Sequence, residues 1–79
     1  MLMQYECVVK KLEKIDFRQD IRSNSSHYLY FISDCNPISM LVLTVESPNI
    51  CFSKAVQESL RRKGIDLDIF NECEIDFGF

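Results

Sequence analysis

The sequence predicts a single small α+β domain in which a sheet of three to five strands packs against one helix. Three observations carry this expectation. Apolar and polar residues alternate near the start and at the end of the chain, with two short, largely apolar runs in the middle; one stretch between Pro48 and Lys63 repeats its apolar residues at helical spacing; and 79 residues leave room for one core. The expected order within domain 1–79 is strand, an ambiguous segment, strand, strand, helix, strand.

The first strand is read from Met3, Tyr5, Cys7 and Val9, which alternate with Gln4 and Glu6. Residues 10–22 are ambiguous. Val8, Leu12 and Ile15 suit a short helix, whereas Ile15, Phe17 and Ile21 suit extended structure, which is the reading preferred. The run Ser23-Asn24-Ser25-Ser26 is a turn by composition, because small polar side chains bond their own backbone. A strand from His27 to Ser33 follows. It places Tyr28, Tyr30 and Ile32 on one face and Leu29 and Phe31 on the other, and a turn at Asn36-Pro37 closes it into a hairpin. Its partner, Ile38 to Glu46, is apolar on both parities, as a central strand covered on both faces is.

Phe52, Ala55, Val56, Ser59 and Leu60 form the helical stripe. Ser47-Pro48 or Ser53 suits its start. Arg61, Arg62 and Lys63 place positive charge at the negative end of the dipole, and Gly64 supplies a left-handed stop over which Ile65 folds back on Leu60. The tail from Gly64 to Phe79 alternates again: Ile65, Leu67, Ile69, Cys73, Ile75, Phe77 and Phe79 face one side, and Asp66, Asp68, Glu72, Glu74 and Asp76 the other. A strand with an acidic face is expected, bent near Asn71 where Phe70 breaks the pattern.

The composition, 47% hydrophobic and 27% charged with two glycines and two prolines, is that of a folded globule rather than a disordered chain. No apolar run approaches the length of a membrane crossing, and the N-terminal charges are misplaced for an export signal, so a cytoplasmic protein with no membrane partner is expected. In that setting Cys7, Cys35, Cys51 and Cys73 read as reduced thiols, and their wide spacing argues against a zinc knuckle.

No catalytic constellation stands out. His27 is the single histidine, and its neighbours Ser25 and Ser26 cannot form a relay from within one turn. Two glycines give no phosphate-cradling loop. No enzyme, cofactor or metal site is therefore expected. Carboxylate pairs such as Asp66 and Asp68 stand too far apart on a strand to chelate one ion.

The net charge of −3 disfavours direct nucleic-acid binding. The expected site is the terminal strand, with Asp66, Asp68, Glu72, Glu74 and Asp76 as a charged row and Phe77 and Phe79 as anchors. Such a row resembles a nucleic-acid mimic and suits a protein partner with a basic surface, for instance one that itself binds nucleic acid. A small acidic interaction protein that inhibits or scaffolds a macromolecule is the function this suggests, by analogy of size and charge with immunity proteins, antitoxins and anti-defence inhibitors. The alternatives are a nucleic-acid-binding module using Lys10, Lys11, Lys14, Arg18, Arg22 and Arg61 to Lys63, and a homo-oligomer, such as a homodimer, joined through sheet edges.

Overall fold

The computed structural model describes residues 1–33, 39–46 and 48–75. The chain is α+β, as its periodicities predict, with a five-stranded antiparallel sheet in the order β1-β5-β4-β3-β2. The strands are β1 (Leu2–Met3), β2 (Phe17–Gln19), β3 (Tyr28–Ser33), β4 (Ser39–Glu46) and β5 (Asn49–Cys51). Helices α1 (Tyr5–Lys14) and α2 (Lys54–Arg62), together with a 3₁₀ helix at Leu67–Cys73, cover one face of the sheet.

The first strand is the first correction. Only Leu2–Met3 is extended, and Tyr5–Lys14 is helical. The alternation of Met3, Tyr5, Cys7 and Val9 competes with a second pattern in the same residues. Tyr5, Val8, Leu12 and Ile15 recur at three and four residues, and burial follows that pattern: Val8 and Leu12 are fully buried while Cys7 and Val9 are half-buried. The termini favour the helix too. The Gln4 side chain accepts from the Cys7 amide at 2.9 Å, Glu6 sits in the first turn, and Lys11 and Lys14 sit in the last.

The extended reading of residues 10–22 therefore holds only for Phe17–Gln19. Asp16 makes the corner between helix and strand at a φ of 69°, a left-handed conformation that Asp tolerates better than most residues. Ile21–Ser23 then form a short 3₁₀ turn. The polar run beside it behaves as its composition predicts: Ser25 Oγ accepts from the Tyr28 amide at 3.1 Å, and Asn24 Oδ1 accepts from the Tyr30 amide at 2.8 Å.

The β3–β4 pair forms the centre of the sheet, in register from Tyr28↔Thr44 to Ser33↔Ser39. The turn expected at Asn36-Pro37 lies outside the described residues. Leu29, Phe31, Leu41 and Leu43 face the helices and are buried, together with Met3, Phe17 and Ile50 from the flanking strands. Each such side chain contributes roughly 1.5–3 kcal/mol when fully buried.

The helix expected between Pro48 and Lys63 begins later than its earliest marker, because Asn49–Cys51 is used as β5, a strand that periodicity does not single out in so short a run. Ser53 caps the helix, accepting from the Val56 amide at 3.3 Å. Phe52, Val56 and Leu60 are buried, but Ala55 is exposed. The stop is as predicted. Gly64 has a φ of 75°, its amide donates to Arg61 O at 3.0 Å, and the Ile65 amide donates to Leu60 O at 3.0 Å, leaving Ile65 buried.

Candidate interaction surface

The acidic terminal strand is the second correction, because residues Leu67–Cys73 form a 3₁₀ helix. In this geometry residues three apart eclipse one another along the axis. Leu67, Phe70 and Cys73 share the inward side, where Phe70 and Cys73 are fully buried and Leu67 is partly so. Phe70, which broke the alternating pattern, is thereby the anchor of the segment. Its ring meets Phe52 edge-on, with centroids 5.2 Å apart. The spacing of Leu67, Phe70 and Cys73 was the signal that the period-2 reading overlooked. Only beyond this helix does the tail turn extended, where Glu74 bridges Met3 and the Ile75 amide donates to Leu2 O at 3.0 Å.

The change of geometry dissolves the expected charged row. Asp66 caps the 3₁₀ helix, accepting from the Asp68 amide at 2.9 Å. Glu72 is ion-paired with Lys11 of α1. That contact holds its carboxyl below the ordinary value, first through the hydrogen bond from Lys11 and then through the attraction of the same charge, with Lys14 adding to it. Asp68 and Glu74 are exposed and make no ion pair among the described residues. Asp76, Phe77 and Phe79, the remaining members of the expected site, lie outside the described residues.

A disulfide joins Cys7 of α1 to Cys73, with Cα atoms 5.4 Å apart, which corrects the expectation that all four cysteines are reduced. Cys51 is a free thiol, and Cys35 lies outside the described residues. Beside the disulfide, an open groove is lined by Gln4, Glu6, Cys7, Lys10, Lys11, Glu13, Lys14 and Glu72. Lysines and glutamates are equal in number there, so neither a polyanion nor a polycation meets a uniform field. Among the described residues no cluster of His, Cys, Asp and Glu could hold a metal ion.

The basic residues are likewise dispersed. Lys11 is committed to Glu72, Arg62 pairs with Glu58 at 3.7 Å, and Lys63 donates to Ser39 Oγ at 3.0 Å. Arg18 is exposed on β2 at a position that alternates away from the buried Phe17, on the side of the sheet opposite the helices.

That opposite side carries apolar side chains of β3 and β4. The strand pairing aligns Leu2, Cys51, Thr44 and Tyr28 in one row across it, Tyr30 and Val42 in the next, and Arg18, Ile32 and Met40 in a third. Met40 is 55% exposed, Tyr28 46% and Val42 37%. Ile32 and Tyr30 are half-buried. Apolar parity on both sides of β4 predicted a strand covered twice; the described residues cover it once.

Among the described residues no helix is long and apolar enough to cross a membrane. Compared with known proteins, the chain matches no family model, no curated protein and no solved structure.

Proposed function

We propose that this protein acts by binding a macromolecular partner, and that its recognition surface is the outward face of the sheet. One observation carries the reading. Tyr28, Met40 and Val42 are exposed side by side around half-buried Tyr30 and Ile32, and a contiguous apolar patch with an aromatic component has the composition of an interface centre. The sheet holds these side chains on a rigid platform, which keeps the entropic cost of binding low. Blocking or scaffolding the partner follows from occupancy alone.

A second surface is supported by Asp68 and Glu74, which are exposed without an opposing charge among the described residues. They suit a basic patch on a partner and would steer its approach rather than supply most of the affinity. The Cys7–Cys73 bond bears on where binding takes place. It persists in oxidising surroundings, whereas in a reducing cytoplasm the two thiols would stand opposed and unbonded.

The test compares two sets of variants in capture of partners from source cells. Val42→Glu with Met40→Glu is expected to abolish capture, and Asp68→Lys with Glu74→Lys to weaken it. Capture that survives the sheet-face change and is lost with the acidic one would transfer the site to the 66–74 segment.

A further inference from the structure

We propose that the Cys7–Cys73 disulfide is a thiol-exchange site, opened and closed through Cys7 Sγ by low-molecular-weight thiols and disulfides of the glutathione class, and that its state sets whether residues 71–75 stay clamped to the start of the chain. The two sulfurs differ in access. Cys7 is half-buried and lines the open groove along α1, whereas Cys73 is 1% exposed and takes no part in that lining. An incoming thiolate must reach the sulfur it attacks, so the accessible one receives it. Cys7 is also held in place, in the first turn of α1, with its amide donating to Gln4 Oε1 at 2.9 Å.

The chemistry balances in two displacements. A thiolate forms a bond to Cys7 Sγ, the bond between the two protein sulfurs breaks, and Cys73 leaves as a thiolate that takes up the proton the incoming thiol gave up. A second thiolate then attacks the first thiol's sulfur and releases Cys7, which is protonated in turn. Two small thiols are oxidised to one small disulfide, and two electrons and two protons pass to the cysteines. The small disulfide drives the same steps in reverse.

What the bond controls follows from what else holds residues 71–75. Of their side chains only Cys73 is buried; Asn71, Glu72 and Glu74 are exposed and Ile75 is half-buried. Beyond the disulfide they meet the start of the chain through Gln4 N, which donates to Cys73 O at 2.8 Å, through Ile75 N, which donates to Leu2 O at 3.0 Å, and through the ion pair of Glu72 with Lys11. Two backbone hydrogen bonds and a solvent-reaching ion pair are a weak hold, since water competes for each of them.

Phe70, just before this stretch, is anchored in the core against Phe52 independently of the bond. The chain thus has a fixed point at Phe70 and, beyond it, a stretch whose one buried side chain belongs to the disulfide. Reduction loosens that stretch and uncovers Leu2 O and Gln4 N at the outer edge of β1, which ends the sheet.

Glutathione buffers of graded composition, applied to the full chain under native conditions and quenched with acid, test this. Peptide mass spectrometry locates the adduct, and hydrogen exchange follows the amides. The expected adduct is a mixed disulfide on Cys7, with Cys73 unmodified. In the reduced chain the Gln4 and Ile75 amides are expected to exchange on the order of tenfold faster than in the oxidised chain, at a rate that small additions of urea do not raise, the mark of a local opening. Cys73→Ser removes the resolving sulfur and is expected to accumulate the Cys7 adduct from oxidised glutathione; should it not fold, the wild-type adduct and exchange rates still decide. A bond reduced only after urea has unfolded the chain, or an adduct on Cys73, overturns the exchange site. Gln4 and Ile75 rates unmoved by reduction, or rising only together with the β3–β4 amides and with their urea dependence, overturn the clamp and leave the bond a staple of global stability.

Discussion

Cys7 and Cys73 stand 66 residues apart in the chain, yet their bond ties the first turn of α1 to the end of the 3₁₀ helix. It closes nearly the whole protein into one loop. A cross-link of that span restricts the unfolded chain strongly, and in a domain this small such a constraint is a large share of total stability. Reduction, or replacement of both cysteines by serine, is expected to cost about 2–5 kcal/mol. Urea denaturation with and without reductant measures this, and identical midpoints would argue that the bond does not form in solution.

The 3₁₀ helix depends on Phe70 more than on its acidic residues. Phe70→Ala removes a ring with no solvent exposure and is expected to cost about 3–5 kcal/mol. The edge-on contact with Phe52 adds a coupling of roughly 0.5–1.5 kcal/mol, readable in a double-mutant cycle of Phe52→Leu and Phe70→Leu. A strand in this segment would give no such coupling.

Lys11 lowers the proton affinity of Glu72, and this sets a pH dependence. A carboxyl whose folded value lies below its unfolded one contributes stability that is present above the unfolded value and is lost as pH falls through the folded one. Glu72→Gln is therefore expected to lower Tm slightly at neutral pH, with the difference from wild type closing as pH falls past the ordinary glutamate value and through the lowered folded one. Both groups reach solvent, so added salt should shrink the difference. Thermal melts from neutral to acid pH check both statements.

Gly64 isolates a purely conformational cost. A methyl group built there meets nothing within 4 Å, so Gly64→Ala is penalised only by its left-handed backbone. A loss of about 1–2 kcal/mol is expected in chemical denaturation. A neutral or stabilising result would mean that the α2 stop takes another conformation.

Reversing Asp68 and Glu74 to Lys tests the acidic surface without disturbing the core. Both side chains are exposed, so stability should change by no more than about 0.5 kcal/mol. Any effect on partner capture then reports recognition. Unchanged capture at low salt would leave these carboxylates as solvated surface.

Where the chain reads itself locally, the sequence was sufficient. The helix α2 was legible because Ser53, the spacing of Phe52, Val56 and Leu60, and the Gly64 stop all act within one short stretch. The β3–β4 pair was legible because two short, largely apolar runs stand close together in the chain, although parity did not say which face of them is buried. The acidic site was not. Its alternation in residues 65–75 was compatible with a strand and, less visibly, with the threefold repeat of Leu67, Phe70 and Cys73, and no local feature chooses between them.

That choice belongs to the tertiary structure. The Phe70 ring lowers the free energy of the 3₁₀ form only because Phe52 waits for it across the core, and Cys73 reaches Cys7 only in that form. The same holds at the N-terminus, where Tyr5, Val8 and Leu12 prevail over an alternating pattern because a sheet face lies beneath them to be covered. By itself the sequence determined an α+β chain with a capped helix and a central hairpin, through interactions a few residues long. The fold decided which apolar residues share an interior and which, on β3 and β4, remain facing outward, because burial is settled by contacts between segments distant in the chain.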